Sequence, residues 1–392
     1  MTTRKLACLS GAAALALAAA GAARADDTPA AAPAGPTALS SPAMSASLAS
    51  NGNPLSADVG FLGKIYFSGQ LTGLGTWQDH AVAGNNEKGK FDLSNAQIEI
   101  QKTDGLVQFY VQAGVYNFPS LGAAYVASGR LTQETYRYVP VAYLKIVPNA
   151  AFNVEIGELP TLIGAEYTFT FQNLNIARGL LWNQEPAISR GVQANYTSGP
   201  LTVSASINDG YFSNHYSTGS ALVSYVVDPK DTVAFAASGN FKKTARSSFV
   251  TPIAQNNGTI WNLIWTHTDG PWLVSPYLQY STTPKDVALG LPSSASTFGG
   301  AVLAKYSFNS MFSLAGRAEY EGSSGSQVSL LYGPKSNAWS LTLTPTVQFK
   351  TFFVRGELSY TKLDSAAAGA GFGSSGDRDS QTRAMVETGV LF

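Results

Sequence analysis

The feature that most constrains this chain is a two-residue alternation of apolar and polar side chains that recurs from about residue 63 to the C-terminus. Between residues 339 and 350 one parity is apolar or aromatic, and the other carries Ser, Thr, Gln or Lys. Residues 63–78, 200–208 and 382–392 repeat this pattern. Because successive side chains of a strand point to opposite faces, each run is predicted to be a strand with one apolar and one polar face.

The composition indicates whether such strands belong to a membrane barrel or to a soluble protein. Charged residues make up only 13% of the chain, aromatic residues make up 11%, and the mean hydropathy is +0.01. No stretch after residue 25 offers the roughly 20 consecutive apolar residues that a membrane helix needs. Low charge without a long apolar run is typical of a membrane β-barrel, in which only alternate residues face lipid. A soluble sandwich strand could show the same alternation, but its solvent face would be richer in Lys and Glu.

The runs number about sixteen, an even number, as bacterial single-chain barrels require. They are residues 63–78, 90–102, 105–116, 138–147, 150–158, 187–198, 200–208, 219–228, 231–241, 258–268, 271–281, 297–308, 311–321, 338–350, 351–362 and 381–392. Short turns alternate with longer loops along the chain. We therefore predict an all-β fold over residues 59–392, a transmembrane antiparallel up-and-down β-barrel of the porin type, with both termini and the short turns in the periplasm.

The N-terminal region is predicted to lie outside the barrel. Arg4 and Lys5 precede an Ala- and Leu-rich run, and Ala23-Arg24-Ala25 resembles a signal-peptidase site, so residues 1–25 are predicted to be a signal peptide. Residues 26–58 are rich in Ala, Pro and Ser and are predicted to be a flexible leader. The only cysteine, Cys8, falls in the signal peptide, so we expect no disulfide and no thiolate metal site.

Aromatic residues gather at the ends of the runs on the apolar parity, which predicts two belts at the two lipid–water boundaries. One group lies near the short turns and comprises Tyr196, Trp272, Tyr306, Phe308, Phe349, Phe352 and Phe392. The other lies near the long loops and comprises Trp77, Phe241, Trp261, Tyr280, Tyr320, Trp339 and Tyr360. A final strand that stops on an aromatic residue resembles that of outer-membrane barrels, which implies that Phe392 is read by the barrel-assembly machinery.

The longest connection, residues 159–186, does not resemble a polar surface loop. It holds many large apolar residues, among them Ile163, Phe169, Leu180 and Trp182, and these need a surface to pack on. We therefore expect it to fold inward against the barrel wall. The competing interpretations are a cap outside the barrel or a subunit interface.

A family resemblance becomes specific in and around this connection. The residues that carry it are Gly157, Pro160, Ile163-Gly164, Glu166, Asn173, Asn175, Arg178, Leu180-Leu181, Pro186 and Gly191-Val192. Together they resemble the signature of the OmpL-like β-barrel porins of Gram-negative outer membranes. The resemblance implies a pore-forming barrel in the outer membrane and supplies no catalytic residue.

Charged residues at polar-parity positions are the candidate pore-lining groups, and those of the connection are the candidate constriction groups. The pore-lining set is Glu99, Lys145, Glu155, Lys305, Arg317, Glu319, Arg355, Glu357, Arg383 and Glu387. The constriction set is Glu158, Glu166, Arg178, Glu185 and Arg190. We expect Glu166, Arg178 and Glu185 to face the remaining channel across from the basic wall residues. Alternatively, the wall charges pair into a ladder that only stabilises the barrel. Arg is expected to be tolerated at Thr344 but not at Leu343.

The favoured function is passive diffusion of small hydrophilic solutes or ions. A barrel-embedded enzyme is the first alternative, but the chain offers only His80, His215 and His267 and no nucleophile elbow. An adhesin or structural barrel is the second alternative, although its loops should be longer. We predict no cofactor, no metal and no nucleic-acid partner. The expected partners are outer-membrane lipid, the solutes, the assembly machinery and, in a homotrimer, two further copies of the chain.

Overall fold

A computed structural model describes residues 48–82, 87–324 and 330–392. The predicted signal peptide, residues 1–25, and most of the predicted leader lie outside the described residues. The described chain is almost entirely strand and connection. Two short helices, α1 (Ser128–Glu134) and α2 (Ile253–Asn256), lie in connections, and four 3-10 turns are found at Gly60–Leu62, Thr170–Gln172, Leu181–Gln184 and Val287–Leu289. In this part of the chain no helix is long and apolar enough to cross a membrane.

Sixteen of the described strands form one closed antiparallel barrel, which confirms the predicted fold and strand number. They are β2 (Lys64–Gln78), β3 (Gly89–Lys102), β4 (Val107–Tyr116), β5 (Val141–Asn149), β6 (Phe152–Pro160), β7 (Ile188–Ser198), β8 (Leu201–Asn208), β9 (Thr218–Val226), β10 (Asp231–Asn240), β11 (Thr259–Asp269), β12 (Trp272–Thr283), β13 (Ala295–Ser307), β14 (Phe312–Ser323), β15 (Asn337–Phe349), β16 (Phe352–Ser365) and β17 (Ser380–Leu391). Each pairs with its neighbour in sequence, and β17 closes the cylinder on β2. A further strand, β1 (Leu55–Asp58), precedes them.

The connections alternate between short and long, as the sequence predicts. Two-residue turns join β5 to β6, β7 to β8, β11 to β12 and β15 to β16. Three of these turns need a left-handed backbone, which Gly199 (φ 56°), Gly270 (φ 55°) and Lys350 (φ 52°) supply. All eight long connections emerge at the other end of the barrel, where the inner segment defined below also begins and ends.

The two faces of the wall differ as the alternation predicts. On β15, Leu341 and Leu343 are more than half exposed, whereas Ser340, Thr342 and Thr344 are buried. Predicted belt residues such as Trp272, Phe349, Phe241 and Tyr320 are also exposed on the outer face. A continuous apolar outer surface with aromatic residues towards both ends is the surface that a membrane-spanning barrel presents to lipid.

The end of the chain completes the seam between the last and first barrel strands. Phe392 and Gly69 exchange two backbone hydrogen bonds of 2.8 Å. The Phe392 ring covers Gly69, since a Cβ on that glycine would lie 2.7 Å from Cζ of the ring. Towards the N-terminal end of β2, β1 pairs with the same edge of that strand, with Leu55 opposite Phe67. The terminal residue therefore has a structural part in closing the barrel.

Candidate functional site

The connection between β6 and β7, residues 161–187, is here called the inner segment. Most of its side chains are buried, including Ile163, Phe169, Leu180 and Leu181 at 0–1% exposure. They divide among three apolar clusters, each shared with other parts of the barrel. In the largest cluster, Leu162, Ile163 and Leu181 pack with inward-parity wall residues that include Leu222, Ala236, Ile260 and Leu303. The inner segment thus contacts the inner face of β9–β14.

A second set of contacts joins the backbone of the inner segment to carboxylates of the barrel wall. The backbone N–H of Ile176 and that of Ala177 (3.0 Å) donate to Glu357. Leu180 N–H donates to Glu319 Oε2 at 2.8 Å. The peptide groups of an irregular segment lack helix or sheet partners and need others when buried. These glutamates supply acceptors for them.

The arginines of the same wall supply donors to the carbonyl groups of the inner segment. Arg355 donates to Asn173 O at 2.9 Å and to Thr170 O at 2.7 Å, and Arg317 donates to Ala177 O at 2.8 Å. We call the inward face of β14–β17 the charged wall. Its charged residues are all 4% exposed or less; they are Arg317, Glu319, Glu321, Arg355, Glu357, Arg383 and Glu387. The charged wall and the inner segment form one hydrogen-bonded interface.

Ion pairs run through this interface. Arg317 Nη1 lies 2.7 Å from Glu166 of the inner segment, and its Nε lies 3.3 Å from Glu319. Arg355 and Glu387, directly opposite each other on β16 and β17, pair at 2.6 Å. The Arg355–Glu387 pair is a cross-strand contact of the kind expected if the wall charges stabilise the barrel instead of selecting ions. Removing one partner of such a buried pair strongly destabilises the fold, because the remaining charge has no water to solvate it.

The expected exposure of three constriction residues is wrong. Glu166, Arg178 and Glu185 are only 0–6% exposed and do not face open solvent. Glu166 is held by Arg317, and Arg178 donates to the carbonyl groups of Thr168, Asn175 and Ile176. Thr344, where the sequence predicts that Arg is tolerated, is fully buried, accepts a hydrogen bond from Asn175 and donates one to Glu357, so the structure predicts a costly substitution instead. Inward parity here means contact with protein, not with water.

Lys145 and Glu155 lie on the strands across the barrel from the charged wall. They pair at 3.3 Å between β5 and β6, and the Lys145 side chain stays 25% exposed. Gln193 of β7 adds a hydrogen bond to Glu155 at 3.3 Å. We call the inward side chains of β5–β8 the β5–β8 wall. Lys145 keeps more contact with solvent than any member of the charged wall.

Two other predicted pore-lining residues lie apart from both walls. Glu99 of β3 is 7% exposed and accepts a hydrogen bond of 3.1 Å from Ser68. Lys305 of β13 is half-buried and, among the described residues, has no carboxylate within ion-pair distance. Lys305 lies near the short-turn end, opposite Leu273 and Ala315 in the strand register.

Glu158 and Arg190 belong to strands and not to the inner segment, which corrects their assignment to the constriction. They lie opposite each other on β6 and β7, and their side chains approach to 3.3 Å. Both occupy the parity of Ile156 and Val192, which are exposed on the outer face. Arg190 also stacks its guanidinium 3.6 Å from the Phe212 ring and approaches Asp209 at 3.5 Å. These contacts form a rim cluster at the long-connection end.

The sequence did not identify Glu321 or the small polar residues of the interface. Glu321 is fully buried on β14, and neither of its carboxylate oxygens has a hydrogen-bond partner among the described residues. Thr170 donates to Glu387 at 2.5 Å, and Asn95 donates to Thr170 at 2.7 Å. Glu321 does continue the inward parity of Arg317 and Glu319, so the spacing held a signal for it. No pattern in the sequence pointed to the contacts of Thr170 and Asn95.

The described part of the predicted leader also reaches the inner segment. Leu48 N–H donates to Phe171 O at 3.2 Å, and the Gln348 side-chain amide exchanges two hydrogen bonds with the backbone of Ala49, at 2.7 and 3.0 Å. Gln348 lies at the short-turn end of β15. The chain therefore passes this mouth of the barrel before it enters β1.

Two of the three histidines have ring hydrogen bonds in the described part of the chain. His267 Nδ1 lies 2.9 Å from Asp231, and His80 Nδ1 lies 3.0 Å from the carbonyl oxygen of Ser380. In the described ranges neither ring has a hydrogen bond to a Ser, Thr or Cys side chain. Over the same ranges no group of three or more His, Cys, Asp or Glu side chains is arranged to hold a metal ion.

Comparison with known proteins gives a family and a set of similar folds. The family model described as "Putative beta-barrel porin-2, OmpL-like" matches residues 64–392. OmpT of Vibrio cholerae is similar at TM-score 0.57 and 13% identity, over 87% of this chain and 100% of that chain. A trimer form of OmpT matches at 0.55 and 11%, over 84% and 99%. The channel DcaP of Acinetobacter baumannii matches at 0.56 and 10%, over 84% and 97%. At these identities the similarity shows the fold alone. A search of curated proteins gives no match.

Proposed function

We propose that this chain is a passive diffusion channel for small hydrophilic solutes or ions, because it belongs to the OmpL-like β-barrel porin-2 family of the Gram-negative outer membrane. The observation that carries this proposal is a closed sixteen-strand barrel with an apolar outer face and a polar inner face. A cylinder of this strand number is wide enough to leave an aqueous lumen unless something fills it.

The inner segment is proposed to set the narrowest point and to shift the passage to one side. Its contacts with the charged wall and with the inner face of β9–β14 occupy those sides of the lumen. On the β5–β8 wall, Lys145 keeps 25% exposure, which supports a passage there. Polar groups beside a narrow opening of low dielectric constant favour polar solutes over apolar ones.

Lys305 is the proposed selectivity residue. It is a half-buried predicted pore-lining cation with no acid within ion-pair distance among the described residues, whereas Arg383 is fully buried and Lys145 is neutralised by Glu155. An unpaired cation near the mouth attracts anions and repels cations, and salt screens it only partly when it is half-buried. The channel should therefore show a mild preference for anions.

Single-channel recording in planar bilayers with a KCl gradient tests this function. The purified barrel should insert in discrete conductance steps, and the reversal potential should show slight anion preference. Lys305→Gln should move the reversal potential towards cations, while the matched change Lys350→Gln, in an exposed turn, should not. A folded barrel that gives no steps would refute the channel, and an unchanged reversal potential would remove Lys305 from the selectivity.

The chain is proposed not to be an enzyme. Among the described residues no hydrogen bond joins a histidine ring to a Ser, Thr or Cys side chain, which supports this, since nucleophilic catalysis needs a base bonded to the nucleophile. Purified protein should hydrolyse ester and peptide substrates no faster than a heat-denatured sample. Activity that is lost in His80→Ala or His267→Ala would contradict the proposal.

The partners are also part of the proposal. We propose that the outer face contacts outer-membrane lipid, that the assembly machinery recognises the strand ending in Phe392, and that the chain forms homotrimers. The exposed apolar outer face supports the contact with lipid, and the trimer form of OmpT supports the homotrimer. Mass measurement of the detergent complex should give three chains per particle, and a single chain would exclude the trimer.

A further inference from the structure

An apolar groove of about 590 Å³ runs across the outer face of β11–β15. Its floor consists of the small residues Pro276, Gly300 and Ala318. Large side chains surround this floor and are each 43–52% exposed; they are Leu263, Trp265, Leu278, Val302, Tyr320 and Leu341. Glu319 also borders the groove, but its carboxylate points inward and accepts hydrogen bonds from Leu180 N–H and Ser340 Oγ. The surface of the groove is therefore apolar.

Strand pairing and small side chains together make the groove one continuous depression. Gly300 lies opposite Leu278 on β12 and Tyr320 on β14, and Ala318 lies opposite Leu341 on β15. A Cβ on Gly300 would lie 3.0 Å from Leu278 Cδ2, so a larger residue here would occupy the groove itself. An exposed apolar depression in the lipid-facing wall of a membrane barrel is a surface on which a hydrocarbon chain packs.

Aromatic rings border the groove on the side of the long connections. Trp261 and Tyr280 each lie two residues from the groove, beyond Leu263 and Leu278, and their rings stack at 5.3 Å. Phe298 of β13 lies opposite Tyr280 and continues this row. Such rings mark the level at which the hydrocarbon of a membrane gives way to lipid head groups. A hydrocarbon chain in the groove would therefore join its head group beside the long connections.

The connections directly beyond these rings carry an excess of positive charge. The connection after β10 holds three cations, Lys242, Lys243 and Arg246, and no acid, whereas each of the other seven long connections has a net charge between −1 and +1. Lys243 Nζ lies 2.6 Å from Asp286 Oδ2, which joins this connection to the one after β12. Lys242 and Lys285, the chain neighbours of that pair, are exposed and have no carboxylate within ion-pair distance among the described residues. Together these side chains form a positive patch that attracts anionic head groups.

We propose that the groove and the positive patch form one site for an anionic, phosphorylated lipid of the membrane leaflet on the long-connection side. An acyl chain of the lipid lies in the groove, and its phosphate lies beside Lys242 and Lys285. A free phosphate would use only the patch, and an uncharged lipid would use only the groove. This inference rests on the proposed contact of the outer face with lipid and is independent of the channel function.

The spacing between the two parts of the site fits a lipid. Seven residues separate Leu278 in the groove from Lys285, which is roughly 23 Å along a strand at about 3.3 Å per residue. A strand tilt of about 40° reduces this to roughly 18 Å of depth. Half of a hydrocarbon core of about 30 Å is about 15 Å. A lipid of one leaflet therefore reaches from the patch into the groove.

Native mass spectrometry of the purified, full-length mature protein in detergent tests the site by titration with three probes. Dimyristoyl phosphatidic acid should bind saturably, with one lipid per chain. Dimyristoyl phosphatidylcholine has the same acyl chains and no net charge, and it should bind at least about tenfold more weakly, because each Lys near an anionic lipid contributes roughly a factor of five. Glycerol 3-phosphate, which has no acyl chain, should not displace the phosphatidic acid.

Matched variants connect the binding to both parts of the site. The double variant Lys242→Gln/Lys285→Gln should weaken phosphatidic acid about tenfold or more, whereas Lys88→Gln, at an exposed position of the connection after β2, should not. Ala318→Leu fills the groove and should weaken both lipids, whereas Ala205→Leu, at an exposed outer-face position of β8, should not.

Three results would overturn the proposal. Adducts that do not saturate and do not differ between the two lipids would leave only general contact of the outer face with lipid. Displacement by glycerol 3-phosphate would reduce the site to an anion patch. Loss of the oligomer in Ala318→Leu, with lipid binding unchanged, would show that a second copy of the chain occupies the groove. Each of these results can be obtained with a barrel that conducts normally, so none of them would refute the channel.

Discussion

The charged wall and the β5–β8 wall have the same strand geometry and the same alternation but different surroundings. Arg355 and Glu387 of the charged wall are 0% exposed beneath the inner segment, whereas Lys145 of the β5–β8 wall keeps 25% exposure. One ion pair therefore lies in protein and the other beside solvent. The parity of a residue shows which face of the strand carries it, but not what covers that face.

This difference in solvent exposure between the two walls explains why the barrel lumen contains fully buried arginines and glutamates. The inner segment has little regular structure, so its peptide groups need partners, and charged side chains of the wall donate and accept those hydrogen bonds. The inner segment in turn removes water from the same charges. A charged residue in a porin lumen can therefore hold a segment in place instead of selecting ions.

The largest expected contrast is between one ion pair on each wall. Arg355→Gln should destabilise the barrel by about 3–5 kcal/mol, because Glu387 and two carbonyl groups lose their buried donor. Lys145→Gln should cost less than about 1 kcal/mol, since its pair is partly solvated. Urea unfolding in detergent, followed by Trp fluorescence, measures both values. The double variant Arg355→Gln/Glu387→Gln should recover part of the loss, and equal costs on the two walls would contradict the comparison.

Arginine placed on either face of a strand tests which walls are covered. Leu343→Arg faces lipid and should cost about 2–4 kcal/mol near the midplane. Thr344→Arg should cost at least as much, because that position is sealed beneath the inner segment. On the β5–β8 wall, Ile207→Arg should be costly but inward-facing Ser206→Arg should be mild. Tolerance of Arg at Thr344 would show that the segment leaves that wall accessible.

A single methyl group tests how closely the inner segment contacts the charged wall. A Cβ on Gly179 would collide with Glu319 Oε2 and would lie 2.9 Å from Glu166 Oε2. Gly179→Ala should therefore cost about 1–3 kcal/mol through overpacking. Gly219→Ala is the matched control, because its nearest atom outside its own neighbours is 4.0 Å away. A Gly179→Ala barrel as stable as the control would place the segment further from the wall.

The smallest expected effect has the opposite sign. Glu321 is buried without a hydrogen-bond partner among the described residues, so Glu321→Gln should leave stability unchanged or raise it by up to about 1 kcal/mol. Glu357→Gln, which weakens acceptors for Ile176 and Ala177, should lower it. A clear loss of stability in Glu321→Gln would mean that this carboxylate has a partner in solution, such as a bound cation.

Sequence reasoning predicted the barrel well because its signals are local. Alternation in each run and turn residues between runs specified sixteen strands, and Phe392 marked the closing strand. The inner segment was recognisable from its apolar residues. Its contacts were not predictable, because Glu357 accepts hydrogen bonds from residues 176 and 177, some 180 positions away. Glu166 was therefore expected beside water, although its partner Arg317 removes it from solvent.

Cysteine modification during single-channel recording tests most directly whether the open passage follows the β5–β8 wall and not the charged wall. The only cysteine of the chain, Cys8, lies in the predicted signal peptide, so the mature protein offers a clean background. In Lys145→Cys, a charged methanethiosulfonate reagent should react and lower the conductance in a single step. In Thr344→Cys the same reagent should leave the conductance unchanged, because the inner segment covers that position. Reaction and block at Thr344→Cys, with none at Lys145→Cys, would contradict the account.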